Sequence, residues 1–233
     1  LIAKHKIDCD PVRKGWLQLS YSSKELPALY ARADQWEARG VQVERLDRSS
    51  VAQRVGTQAF AGGWWDGRAG AIQPLAYARG LASAAQRHGA RIHGHTAVQT
   101  IERQGGYWVA TTAHGMTVRA ERIVIATNGY TDSLWPGLAS TVLAANSFIV
   151  ATQPLSHAQS AHILAGSETV ATSQRLLLYF RKDAQNRLLM GGRGFFADPP
   201  GPSDFAHLEK SLALLFPELS PLTYEFRWAG RVA

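Results

Sequence analysis

The stretch Arg122–Asp132, RIVIATNGYTD, constrains the fold more than any other part of this chain. Ile123, Val124 and Ile125 form an apolar run too short for a helix and rich in β-branched residues, which predicts a buried strand. An apolar run without alternation implies cover on both faces, as in a parallel or mixed α/β sheet. In such sheets ligands bind beyond the carboxyl ends of the strands. Ala126, Thr127 and Asn128 are small there, and Gly129 can take positive φ or let the backbone approach a ligand closely. The strand end is therefore expected to face a ligand.

The rest of the chain supplies elements that could surround such a strand. Ser22-Ser-Lys-Glu25 has capping-box spacing. Leu26, Leu29, Tyr30, Ala33 and Trp36 then recur at helical spacing, and Gly40 supplies the C-terminal cap. Val41–Leu46 alternates like a strand, Ser49–Val55 reads as a short helix, and Ala61–Pro74 reads as a glycine-rich loop. A helix is expected from Pro74 to His88, with Pro74 at its first position, Gly89 just past its end, and Leu75, Ala78, Leu81, Ala82 and Ala85 inward. Short strands follow at Arg91–Gly94, Ala97–Glu102, Tyr107–Thr112 and Met116–Arg119, separated by glycine turns. Strands at Asn146–Thr152, Arg175–Lys182 and Arg187–Met190, a hairpin turn at Asp183–Asn186, a helix at Ser203–Phe216 and a strand at Thr223–Trp228 complete the order. This α/β mixture predicts two sheets visited alternately by one chain.

At 45% hydrophobic and 18% charged, the 233 residues have ample core material. No run approaches the ~18 apolar residues of a membrane helix, and no basic-then-apolar leader opens the chain. Cys9 has no cysteine partner, which suits a reducing, cytoplasmic setting. The net charge of +7 is scattered rather than blocked, so a solvated basic surface is expected and nucleic acid is not. Beginning at Leu1 and stopping at Ala233 after an apparent strand, the chain reads as a piece of something longer.

Individual motifs sort further. Gly192-Arg-Gly-Phe-Phe-Ala197 has the G-x-G-x-x-[GA] form, but the following Asp198-Pro-Pro-Gly-Pro202 forbids the helix whose amides would meet a pyrophosphate. It reads as a strand-end turn. His93 and His95 share one side of a strand but lack a third ligand, so no metal is expected. No serine sits in a nucleophile elbow. Period two puts Leu177, Tyr179 and Arg181 on one face and Leu178 and Phe180 on the other. Arg181 could clamp a carboxylate with its bidentate fork, or reach solvent over Tyr179 as an edge arginine. Trp64, Trp65, Trp135 and Trp228 lie near glycine or proline turns, where core packing and a pocket are both open readings.

Together the segments AGGWWDGRAGAIQPLAYARGLASAAQRHGARIHGHTAVQTI, ERIVIATNGYTDSLWPGL, SFIVATQPL, YFRKDAQNRLLMGGRG and YEFRWAGRVA resemble the FAD-dependent amine and amino-acid oxidase family. This is the D-amino-acid oxidase-like group, and the closest look is to its bacterial γ-glutamylputrescine oxidoreductase-like branch. The resemblance implies part of a flavin-binding Rossmann-like domain (residues 1–40 and 74–144) interleaved with a mixed-sheet substrate domain (41–73 and 145–227). Residues 228–233 would begin the return to the flavin. It implies FAD contacts at Val98, Ala126, Thr127, Asn128, Gly129, Trp65, Gly70 and Ile72, and substrate contacts at Tyr179, Arg181 and Trp228. The partner would be a small-molecule amine or amino acid, oxidised at its C–N bond to an imine by hydride transfer, with no catalytic acid–base pair nominated. The family's opening G-x-G-x-x-G unit and closing segment have no counterpart, so the chain looks like the middle of such an enzyme. A catalytically silent fragment, an interaction module, and a nicotinamide-linked dehydrogenase are the alternatives.

Overall fold

Successive side chains along a strand point to opposite faces, so one set of residues in the main sheet meets the covering helices and the other does not. The computed structural model describes residues 1–196 and 201–233. Its strands are β1 (Trp16–Ser20), β2 (Val43–Asp47), β3 (Gly62–Asp66), β4 (Val98–Gln104), β5 (Tyr107–Thr112), β6 (Thr117–Ala120), β7 (Ala145–Pro154), β8 (Thr169–Thr172), β9 (Leu178–Lys182), β10 (Arg187–Arg193) and β11 (Tyr224–Val232). The helices are α1 (Ile2–His5), α2 (Leu26–Glu37), α3 (Arg48–Val55), α4 (Pro74–Arg87), α5 (His157–His162) and α6 (Ala206–Leu215). Eight strands form one mixed sheet in the order β11-β7-β10-β9-β8-β1-β3-β2, and β4-β5-β6 form a separate three-stranded sheet. Two sheets in one α/β chain match the expectation.

Leu17, Leu19, Val170, Phe180, Leu188, Met190, Phe148 and Val150 point to one face of the large sheet. Leu208, Leu212 and Leu215 of α6, Val51 and Val55 of α3, and Phe60 and Phe216 cover them. The intervening residues point to the opposite face. Over β2 and β3, α2 shields that face by packing Leu29 and Ala33 on Trp64. The remainder of the face is open. As period two required, Phe180 is buried in the core while Tyr179 and Arg181 lie on the open side.

Local signals explain most boundaries. Gly40 ends α2 with φ 76, its N–H bonding Glu37 O while Val41 N reaches Trp36 O, a Schellman cap. Gln73 caps α4 by accepting from Ala76 N at 2.6 Å. Asp183 organises the β9–β10 hairpin by accepting from the amides of Gln185 and Arg187. The Ser22–Glu25 capping box does not form. Ser22 accepts from Lys24 N, and the Glu25 carboxylate instead accepts from Ser20 and Ser173 on β1 and after β8.

Other expectations change with tertiary context. Ile123–Ile125 runs without a sheet partner among the described residues, and Val124 is 87% exposed. A strand needs a neighbour to satisfy its amides, and here none approaches. Arg91–Gly94 is likewise irregular. The glycine-rich segment contains β3, because Gly63 lets β1 approach so closely that a Cβ would lie 2.2 Å from Gln18 O. The inward face of α4 is also different: Leu75 is exposed, Ala84 is buried, and Gly80 receives Ile7 where a Cβ would meet its side chain at 2.2 Å. Strand β1 pairs with β3, and helix α2 packs on β2 and β3.

Candidate functional site

The open face of the large sheet floors a cavity of about 1130 Å³. Ile149 and Ala151 of β7, Leu189 and Gly191 of β10, Ala171 of β8, and Tyr179 and Arg181 of β9 are neighbours in strand register and form the floor. Phe226 and Trp228 of β11 bound one side, and Trp16 of β1 the other. The loop Gly70–Gln73 and the first residues of α4, Pro74 and Leu75, form a wall. That loop is tied to residues 9–12 by reciprocal bonds between Val12 and Ala71 and by Gln73 N donating to Cys9 O at 2.8 Å. Gly70 is required there, since a Cβ would come within 2.1 Å of Val12 O.

Tyr179 lies against Gly191, where a Cβ would come within 2.2 Å of the ring, and its hydroxyl shares a short hydrogen bond with Ser147. The ring is thereby fixed at its face and its tip. Arg181 enters the cavity from the same strand. It donates from Nη2 to Ile72 O at 3.2 Å and from Nη1 to Lys182 O at 3.3 Å, and no carboxylate lies within ion-pair distance among the described residues. Burial pushes its guanidinium pKa down, and the Asp183 and Asp10 carboxylates oppose that shift. A half-buried cation held only by carbonyl oxygens offers remaining donors to an anion.

The structure brings Gly70, Ile72, Tyr179, Arg181 and Trp228 together around this cavity. Trp65 is not among them. It projects to the opposite face, where Nε1 donates to Lys14 O at 3.0 Å and Arg54 stacks over its ring. Trp64 is the residue on the open side, but α2 buries it and its Nε1 donates to Gln18. One position of strand phase separates the two tryptophans. Trp135 packs edge-on against Trp108 instead.

Val98 lies on the three-stranded sheet, away from the cavity lining. Ala126–Gly129 also lies apart, and the Thr-Asn-Gly turn receives the end of β11. Asn128 has φ 48, its side chain accepts from Gly129 N and Ala233 N, and a Cβ on Gly129 would meet Val232 N at 2.9 Å. Ala126 and Thr127 remain exposed. The cavity's hydrophobic floor at Ile149, Ala151 and Leu189 was missed by sequence reading. Its signal is the continuous apolar run in SFIVA and LLM, which on a strand leaves apolar side chains on both faces, with Phe148, Val150, Leu188 and Met190 toward the core.

Along residues 1–233 the chain matches the DAO family, FAD dependent oxidoreductase. It belongs to that family. FAD is the family's cofactor. The gamma-glutamylputrescine oxidoreductase of Escherichia coli (strain K12) is 32% identical over 232 residues, covering 98% of this chain and 54% of that protein. A probable oxidoreductase, OrdL, of Rhizobium meliloti (strain 1021) is 37% identical over 188 residues, covering 80% of this chain and 43% of its own length. The chain thus spans about half the length of the curated relatives it matches. Among solved structures, glycine oxidase from Geobacillus kaustophilus gives a TM-score of 0.81 at 23% identity, covering 99% of this chain and 62% of that one. The L-alpha-glycerophosphate oxidase from Mycoplasma pneumoniae, solved with FAD bound, gives 0.76 at 16% identity, covering 97% and 62%. At these identities the likeness is one of fold.

The residues present fit the ring end of such a cofactor. A flat apolar sheet floor with exposed aromatic side chains at Phe226 and Trp228 suits a planar conjugated ring. Among the described residues the G-x-G-x-x-[GA] stretch forms no pyrophosphate cradle. Gly192 lies within β10, and Gly194 packs on Phe148, where a Cβ would lie 2.1 Å from the ring. No helix starts in Gly192–Phe196. The Ala197–Pro200 part of the motif lies outside the described residues.

Proposed function

We propose that the full-length protein oxidises the C–N bond of an amine or amino acid to an imine, with FAD accepting the hydride. The single observation that carries this reading is Arg181, a cavity-facing cation with carbonyl ligands and no carboxylate partner among the described residues. Arg181 holds a substrate carboxylate through the guanidinium fork. Tyr179 and Trp228 shape the space beside it. FAD, when bound, supplies the two-electron acceptor. Gly70 and Ile72 would stand nearest the ring, while Val98 and Ala126–Gly129 would serve the adenine and dinucleotide side. Trp65 supports the opposite face and is dropped from this set. An amine that enters neutral needs no general base from the protein.

The same proposal assigns the large sheet to substrate and the three-stranded sheet, with α4, to the cofactor. We move β1, α2 and all of β11 to the substrate side, because they pair or pack within that sheet.

Anaerobic mixing of the full-length protein with amines tests the chemistry. Bleaching of flavin absorbance is expected; a colourless protein that refuses added FAD would overturn the reading. In the same protein Arg181→Ala is expected to raise KM for a carboxylated amine ~10–100-fold, the scale of a lost charge-assisted bond. An uncharged amine should change far less. Equal effects on both would remove Arg181 from its role.

A further inference from the structure

Strand β11 is the outermost strand of the large sheet and pairs with β7 alone among the described residues. An edge strand turns alternate amides away from its partner, and each needs an acceptor from elsewhere. At the end of β11 two side chains of the Thr-Asn-Gly turn supply them. Arg231 N donates to the Tyr130 hydroxyl at 3.2 Å, and Ala233 N donates to Asn128 Oδ1 at 3.0 Å. The two amides are two residues apart and so face the same way. Tyr130 and Asn128 act in place of a neighbouring strand.

The turn is braced for that task. Asn128 holds φ 48, and its Oδ1 also accepts from Gly129 N at 2.6 Å. Tyr130 N returns to Thr127 O at 3.0 Å, Thr131 N to Asn128 O at 3.1 Å, and Thr131 Oγ1 donates to the latter carbonyl at 2.7 Å. Gly129 lets the two backbones meet, since a Cβ there would lie 2.8 Å from Arg231 C. The Arg231 guanidinium stands 6.0 Å from the centre of the Tyr130 ring.

What β11 carries toward the cavity is Trp228. It shares the open face with Gly230, beside which the Tyr130 hydroxyl lies, and Ala229 between them packs on the core. Trp228 is 42% exposed, and its indole N–H has no partner among the described residues. With no tie of its own, the ring goes where the backbone of β11 goes. Its Cα is three residues from the Arg231 amide, ~10 Å of extended chain.

We propose that Tyr130 and Asn128 are positioning residues for the cavity: their side chains pin the free edge of β11 and thereby set the place of Trp228. That Trp228 borders the substrate rests on the oxidase reading; the tie itself can be tested without turnover.

Tyr130→Phe keeps the ring and removes the acceptor. In the full-length, FAD-loaded protein labelled with 5-fluorotryptophan, the Trp228 resonance, assigned with Trp228→Phe, should shift or broaden. The Trp64 resonance should stay in place, because α2 covers that ring near the other edge of the sheet, and it is the control for folding. The Arg231 amide should exchange ~3–10-fold faster, the scale of one neutral hydrogen bond. KM for an oxidised amine should rise by a similar factor with kcat within ~2-fold, as for a lost binding contact. That rise should vanish in a Trp228→Ala background. An unmoved Trp228 resonance, an unchanged Arg231 amide, or a KM rise that persists without Trp228 would overturn the proposal. So would a lowered melting temperature as the sole effect. Should Tyr130→Phe not fold, Asn128→Gly keeps the left-handed backbone, frees only the Ala233 amide, and is read by the same Trp228 resonance. A moved resonance in a protein that no amine bleaches would instead sink the oxidation reading and leave the tie standing.

Discussion

Tyr179 illustrates how one small residue sets the position of a large one. Its ring occupies the space a side chain at position 191 would take, and Ser147 fixes the hydroxyl. Gly191→Ala must therefore displace the ring. The expected cost is ~1–3 kcal/mol of stability, typical of overpacking, together with a raised KM in the full-length enzyme. A double-mutant cycle with Tyr179→Ala checks the mechanism: the penalty of Gly191→Ala should nearly vanish once the ring is gone. Additive effects would mean that the glycine acts elsewhere. At this scale the sequence was informative where alternation ruled. The opposed faces of Tyr179 and Phe180 were legible, because neighbours on a strand must diverge. Trp65 was not, because the Trp64-Trp65 pair in a glycine-rich stretch shows no phase until β3 is paired with β1.

Elements followed the same division between local and distant causes. Helix α2, with its Schellman cap, and the β5 and β9–β10 strands were readable from residues within a turn or two. Strands β1 and β8 were missed because they are short and are central only through each other's pairing, parallel across a long stretch of sequence. Glu25 shows a distant partner overriding a local motif: the carboxylate that a capping box would use ties Ser20 to Ser173 instead. Those hydroxyl bonds hold its pKa below the ordinary value of 4.5, with the Ser173 bond the larger cause. A depressed carboxylate contributes stability that is present above its unfolded pKa and lost as pH falls through the folded one. The melting temperature of Glu25→Gln should therefore lie below that of the parent at pH 7, and the gap should narrow below about pH 4.5. A gap independent of pH would assign Glu25 a packing role. On the core face, Leu212 of α6 is fully buried, and Leu212→Ala should cost about 3 kcal/mol in urea unfolding.

At the scale of the whole molecule the two sheets differ in how well the chain covers them. The large sheet has a buried core on one side and a floored cavity on the other. In the small sheet Val118 of β6 is exposed, and so are Val124 and Leu143 in the irregular chain that follows it. The amides of Ile123–Ala126 make no backbone hydrogen bond among the described residues. An apolar, β-branched segment with free backbone groups is a strand in composition that lacks a neighbour in this chain. The buried strand expected from its sequence is therefore not formed by these residues. The consequence can be measured by hydrogen exchange. In the isolated 233-residue chain the amides of 123–126 should exchange at nearly the rate of unprotected peptide, while those of Phe148–Val150 exchange orders of magnitude more slowly. In the full-length protein the 123–126 amides should become protected by a ladder, and added FAD should slow exchange at 126–129 further if that turn serves the dinucleotide. Equal, fast exchange of 123–126 in both proteins would mean that the segment is a surface connector, and the strand-end reading of Ala126–Gly129 would fall with it.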